Sequence, residues 1–227
     1  MKNIFHFTLL GALLIASAPI TRCAETNAVH NFARWEKEIA AFERTDATNP
    51  PPKGAYVFIG SSTIARWKTL VQDLPGLPVV NRGFGGSEIV DSTHFAPRVI
   101  FPCAPKVVVL RAGGNDLFAG KSVEQVFADY QEFVAVVHAK LPETKIIFLS
   151  LSPSLARWTQ HEKEKAVNAL IADFTKDKSF LQYIDTYDVP LRADGVPNVD
   201  LFVGDKLHFN ADGYKLFAER IRPLLPK

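Results

Sequence analysis

Cysteine is scarce in this chain: 227 residues contain two, Cys23 and Cys103. That excludes a disulfide framework. It also casts Cys103, set between Pro102 and Ala104, as a small buried residue rather than a nucleophile. Charge of one sign is equally scarce. Residues 1–23 contain Lys2 and Arg22 and no acid, so removing them takes two from the 26 basic residues and none from the 24 acidic ones. The remainder is close to neutral, which favours neither nucleic acid nor an anionic membrane surface as a partner. Heptads, repeats and low-complexity tracts are absent. Three familiar motifs fail by one residue each. His161-Glu162 opens like a zinc-protease helix, but Lys165 stands where the second histidine is required; no other cluster has metal-ligand spacing, and no metal is expected. The glycines at 83, 85 and 86 miss a nucleotide fingerprint because Glu88 replaces the last glycine. Gly-x-Ser-x-Gly is absent, since Ile64 follows Gly60-Ser61-Ser62-Thr63.

One long apolar run is present. Ile4 to Ile20 is largely apolar but broken by His6, Thr8, Ser17 and Pro19; Lys2 precedes it, and no acid appears before Glu25. A membrane-spanning helix needs about 20 clean apolar residues, so residues 1–23 read as a secretory signal peptide. Cleavage fits after Ala18 or after Cys23 or Ala24, and lipoprotein anchoring through Cys23 is the alternative, opposed by Arg22. The expected mature protein is secreted or periplasmic, has no integral membrane span, and forms a single domain over residues 24–227. Residues 28–54 supply an N-terminal amphipathic helix and the stiff connector Asn49-Pro50-Pro51-Pro52-Lys53-Gly54.

From there strands and helices alternate. Apolar runs predict strands at Tyr56–Ile59, Pro78–Asn81, Lys106–Leu110, Lys145–Leu149 and Phe180–Ile184. Helical spacing predicts helices near Thr63–Val71, Ile89–Val99, Val123–Lys140, His161–Thr175 and Ala211–Leu224. Five apolar strands with intervening helices imply an α/β fold with a parallel sheet covered on both faces, and a site at the strands' carboxyl ends.

The chemically useful residues fall at those ends. After the first strand, Gly60-Ser61-Ser62-Thr63 places hydroxyls and free backbone N–H groups at a helix start. A serine there suits either a nucleophile or a helix cap. After the second, Gly83-Phe84-Gly85-Gly86 gives a tight, exposed backbone, as a ligand cradle or a plain turn. After the third, Asn115 follows Gly113-Gly114, as a side-chain donor or a turn former. Asp205, three residues before His208, can orient an imidazole as a general base. Asp91 and His94 share that spacing, but inside a helix, where they read as a solvated face pair.

These four stretches together resemble the blocks of the SGNH hydrolases, also called the GDSL esterase/lipase family. Phe58-Ile59-Gly60-Ser61-Ser62-Thr63, the Gly86 loop, Gly113-Gly114-Asn115-Asp116 and Asp205-Lys206-Leu207-His208 occur in the family's order. The resemblance implies a flavodoxin-like three-layer α/β/α sandwich with a five-stranded parallel sheet, ester hydrolysis and no cofactor. It implies Ser62 as nucleophile, His208 as base and Asp205 as its orienting partner. It also implies an oxyanion hole made by the N–H groups of Ser62 and Gly86 and the side chain of Asn115. One position departs from the pattern: Ser61 stands where the family usually has aspartate.

The expected substrate is a small-molecule or carbohydrate ester outside the cytoplasm, with a short acyl group, because no long apolar insertion supplies a lipase lid. The alternatives are a lysophospholipase or other lipid esterase, a non-catalytic carbohydrate-binding domain, and a flavin-binding protein. Phe84, Phe118, Trp158 and Phe202 follow strand ends and are expected to be buried packing residues rather than pocket lining.

Overall fold

The computed structural model describes residues 30–226, so the predicted signal peptide at residues 1–23 lies outside the described residues. The described residues from Phe32 onward form one compact unit. A 3₁₀ turn, Phe32–Trp35, leads into α1, Glu36–Thr48. The chain continues through β1 Tyr56–Gly60, α2 Ser62–Ala65, α3 Leu70–Asp73, β2 Val79–Gly83 and α4 Ile89–Val99. Then come β3 Val107–Arg111, α5 Gly114–Phe118, α6 Val123–Lys140 and β4 Lys145–Leu149. A 3₁₀ segment Leu155–Gln160, α7 His161–Thr175, β5 Leu181–Ile184 and α8 Ala211–Ile221 complete it.

The five strands make one sheet in the order β2-β1-β3-β4-β5, and every pairing is parallel. Alternating side chains feed two separate cores. Val57, Ile59, Val108, Leu110, Ile146 and Phe148 join one cluster with residues of α1, α4, α6 and α7. Phe58, Val109, Ile147 and Leu149 join the other, with Trp67, Leu70 and Phe217 of α8. Both sheet faces are therefore sealed, as the nearly unbroken apolar strands require. After β2 the chain crosses over β1 to reach β3, so the strand order reverses between β1 and β3. A crevice opens at that switch point, at the strands' carboxyl ends.

Two glycines at the strand ends allow close backbone packing there. Gly60 has φ +137°, and a Cβ there would overlap the Arg111 carbonyl of the neighbouring strand. At Gly83 a Cβ would run into the backbone of Ile64 and Ala65, so α2 lies directly against β2.

The helix expected over Thr63–Val71 is instead two single turns, α2 and α3. At the break the Ile64 and Trp67 carbonyls accept from the N–H groups three residues on, those of Trp67 (3.1 Å) and Leu70 (3.4 Å), and Asn81 Nδ2 donates to the same two oxygens at 2.7 and 3.4 Å. Of the expected solvated pair on α4, His94 is exposed and stacks on Phe32 at 3.9 Å, but Asp91 is buried and caps α4 by accepting from the Glu88 N–H (2.8 Å).

Candidate active site

Ser62 is the first residue of α2, directly after Gly60-Ser61. Its N–H has no carbonyl one turn earlier to bond. Because α2 is a single turn, the local N–H groups matter more than any accumulated helix dipole. Ser61 occupies the N-cap position without a side-chain capping bond, so neither serine serves the helix as a cap. Ser62 Oγ instead meets His208 Nε2 at 2.9 Å.

His208 reaches Ser62 from the far end of the chain, along a short hairpin. Phe202 pairs with Phe209 across it, the Val203 N–H donates to the His208 carbonyl (2.9 Å), and Lys206 takes φ +56° at the turn. The hairpin is anchored to α8, where Asn210 accepts from the Gly213 N–H at 3.0 Å. Tyr214 on α8 donates its hydroxyl to the Thr63 carbonyl at 2.9 Å, which sets α8 against α2 and thus His208 against Ser62.

His208 Nδ1 lies 2.7 Å from Asp205 Oδ2. An ionised carboxylate only accepts, so Nδ1 carries the proton and the Nε2 lone pair faces the Ser62 hydroxyl. The other carboxylate oxygen, Oδ1, accepts from the N–H groups of Leu207 and His208, both at 3.0 Å. Desolvation pushes the Asp205 carboxyl up, but the bonds from the His208 ring and from these two N–H groups outweigh it and hold the pKa well below the usual carboxylate range. Asp205 is therefore charged throughout the neutral and mildly acidic range.

The third strand brings in Asn115. The segment α5, Gly114–Phe118, is a helical turn, and Asn115 near its start lines the same cavity as Ser62 and His208. Asn115 Nδ2 donates to the Ser87 carbonyl at 2.8 Å, next to Gly86 in sequence. Gly86 has φ +80° and shares a cleft with Ser62, Asn115 and His208. Among the described residues no protein acceptor meets the Gly86 N–H. Ser62, Gly86, Asn115, Asp205 and His208 thus converge on one place. Ser61 lines the cavity beside them.

The cavity is about 60 Å³ and polar. Arg111, Ser152, Arg157, Gln160 and Glu164 border it, with Phe202 and Phe209 on the apolar side. Arg111 is buried; it donates to Ser152 Oγ at 2.7 Å, and its burial pulls its pKa down to about 10. Burial pushes the Glu164 carboxyl up, offset in part by the hydrogen bond from Gln160 and the charges of Arg111 and Arg157. Of the aromatics, Phe84 is buried as expected, but Phe202 both packs and lines the cavity, Trp158 is half-buried and stacked on His161, and Phe118 is 68 % exposed. Sequence reasoning missed Arg111, Arg157, Gln160 and Glu164, which carry no motif. Among the described residues no cluster of histidine, cysteine, aspartate and glutamate is placed to hold a metal.

With this geometry in hand, the chain compares with known proteins as follows. Residues 51–216 match the model of the GDSL-like lipase/acylhydrolase family. The chain belongs to that family. It is an α/β carboxylic ester hydrolase of the SGNH type, with the five-stranded parallel sheet its fold requires. The chain is 26 % identical to the alpha1 subunit of platelet-activating factor acetylhydrolase IB from Bos taurus, over 91 % of this chain and 89 % of that protein. Its fold is similar to a GDSL-like lipase from Bacteroides thetaiotaomicron, with TM-score 0.67, 19 % identity and coverage of 86 % of this chain and 96 % of the other. It is also similar to an acetylxylan esterase from Geobacillus stearothermophilus, with TM-score 0.62, 13 % identity and coverage of 77 % and 95 %. At those identities the two structures speak to fold alone.

Proposed function

We propose that this GDSL-family hydrolase cleaves short-chain carboxylic esters by acyl transfer through Ser62. The observation that carries this is the hydrogen-bonded chain Ser62 Oγ–His208 Nε2 (2.9 Å) and His208 Nδ1–Asp205 Oδ2 (2.7 Å) at the mouth of the crevice. Ser62 Oγ attacks the ester carbonyl carbon as its proton passes to His208 Nε2. The developing oxyanion takes hydrogen bonds from the N–H groups of Ser62 and Gly86 and from Asn115 Nδ2. The tetrahedral intermediate collapses, the C–O bond to the alcohol breaks, and the alcohol leaves with the proton held on His208. Water, deprotonated by His208, then attacks the acyl carbon, the bond from that carbon to Ser62 Oγ breaks, and His208 returns the proton to Ser62 as the acid leaves. Asp205 keeps His208 in the required tautomer and balances its transient charge.

The cavity supports a small or oxygen-rich substrate group. A long acyl chain would lie against Arg111, Arg157 and Glu164 and strip them of polar contact. The names of the bovine relative and of the acetylxylan esterase both specify an acetyl group. The substrate class we infer is an acetyl or similarly short acyl ester on a carbohydrate, outside the cytoplasm. Lys2 and the apolar run from Ile4 to Ile20 support export to the periplasm or medium.

The test is hydrolysis of p-nitrophenyl acetate and of p-nitrophenyl esters of increasing chain length, beside Ser62→Ala and Ser61→Ala. Wild type and Ser61→Ala turn over acetate, Ser62→Ala loses ~10³-fold or more, and rates fall as the acyl chain lengthens. Loss of activity in Ser61→Ala alone would overturn the assignment of the nucleophile; a preference for long chains would overturn the substrate class.

A further inference from the structure

Arg157 has no place in the mechanism above, yet it touches the oxyanion side of the site directly. It lies within the 3₁₀ segment Leu155–Gln160, at a point where the backbone leaves helical geometry (φ −125°, ψ 28°). The segment is tied to the loop of the catalytic base, since the Ala156 N–H donates to the Lys206 carbonyl at 3.1 Å. The guanidinium lies over the Phe118 ring, 4.3 Å from its centroid. Its Nη1 donates to Asn115 Oδ1 at 2.9 Å and to the Gly114 carbonyl at 3.2 Å. Gln160 Nε2 adds a third bond to this turn, at 3.3 Å from the Gly114 carbonyl.

The direction of the Asn115 amide follows from its two partners. Arg157 has donors only, and the Ser87 carbonyl only accepts. Oδ1 must face Arg157, and Nδ2 must face Ser87, which leaves the second Nδ2 hydrogen for the cavity. A flipped amide would set Oδ1 against the Ser87 oxygen and present a lone pair where negative charge develops. A charged donor on Oδ1 also draws electron density through the conjugated amide, which strengthens Nδ2–H as a donor.

We propose that Arg157 is a positioning residue for ester hydrolysis: it fixes the Asn115 amide with Nδ2 toward the oxyanion and reinforces that donor with its charge. This rests on the oxyanion role proposed for Asn115. Because the action runs through Asn115, removing both residues does little more than removing Asn115.

The experiment is a double-mutant cycle on p-nitrophenyl acetate hydrolysis with Arg157→Ala, Asn115→Ala and the pair, alongside Arg157→Lys and Arg157→Gln. Thermal melts check that each variant is folded, and the two longer substitutions keep the cycle available if the alanine variant is not. Asn115→Ala loses ~10²–10³-fold in kcat. Arg157→Ala loses ~10–10²-fold in kcat with KM within about threefold, as expected for an interaction made in the transition state. Arg157→Lys and Arg157→Gln recover part of the loss, and on the Asn115→Ala background any Arg157 substitution changes kcat by no more than about twofold. Independent, multiplying effects of the two positions, or a raised KM at unchanged kcat, would overturn the positioning role and leave the oxyanion role of Asn115 standing. Wild-type kcat in Asn115→Ala would overturn both.

Discussion

On one side of Ser62, half-buried Asn115 stands beside buried groups and is tied to distant parts of the chain; on the other, Asp205 stands in a hairpin that is largely exposed. Ser87 and Asp116 are fully buried and Arg111 nearly so, and the Asn115 amide is held at both ends, by Arg157 and by the Ser87 carbonyl. The Asp205 side chain is 42 % exposed, and its hydrogen bonds come from Leu207 and His208, within three residues of it. The two sides are asked for different things. Oxyanion donors must already point the right way when charge appears, which takes a stiff setting. The Asp–His pair needs one tautomer and one ring orientation, which a local turn can supply.

The largest effect expected from breaking this comparison is on the exposed side. Asp205→Asn presents an amide where His208 Nδ1 needs an acceptor, and the wrong tautomer then places a proton on Nε2. We expect kcat to fall by about 10²–10⁴-fold, with stability within about 1 kcal/mol of wild type because the residue is exposed. Steady-state kinetics and urea unfolding of the same preparation separate the two.

A middle-sized effect lies on the buried side. Asp116 accepts from the Ile89 N–H (3.1 Å) and from Lys121 (3.3 Å), but burial pushes its carboxyl up to about 6 from an ordinary 3.8. Between roughly pH 4 and 6 the folded chain keeps a proton that the unfolded chain has released, so this residue's contribution to stability falls as pH rises through that window. Asp116→Asn removes the dependence. The stability of wild type relative to the variant should drop by on the order of 2 kcal/mol between pH 4 and pH 6.5 in urea unfolding. A difference that does not move with pH contradicts the reading.

The smallest effect is at the rim. Arg66 sits 3.6 Å from Asp205, and both side chains are about half exposed. Ion pairs of that kind contribute ~0–1 kcal/mol. Arg66→Ala should change kcat/KM by about threefold or less at moderate salt, and a tenfold loss would show that the hairpin depends on more than its own local bonds.

How much of this could be read from the sequence follows the same division. Apolar strands and amphipathic helices announce themselves by periodicity: α4, α6, α7 and β4 run over the residues predicted for them. The five implied site residues converge because each lies in the loop or first helical turn beyond a strand end or in a turn, on the side where the parallel sheet opens. What periodicity cannot show is a partner far along the chain. Asn81 bonds the Ile64 carbonyl from β2 where the helix after β1 breaks, and Arg157 reaches back to Asn115 across 42 positions. Phe118, expected as a buried packing residue after a strand end, is exposed and lies against the guanidinium of Arg157. Such contacts depend on tertiary placement, and a single basic residue after a strand gives no hint of them.

The central claim is that Ser62 carries the acyl group, activated by His208. The most direct measurement is peptide mass spectrometry after reaction with an organofluorophosphonate, which traps an activated serine covalently. The account predicts one adduct per chain, on Ser62, absent in Ser62→Ala and strongly slowed in His208→Ala. An adduct on Ser61, or labelling of Ser62 at the same rate without His208, would contradict it.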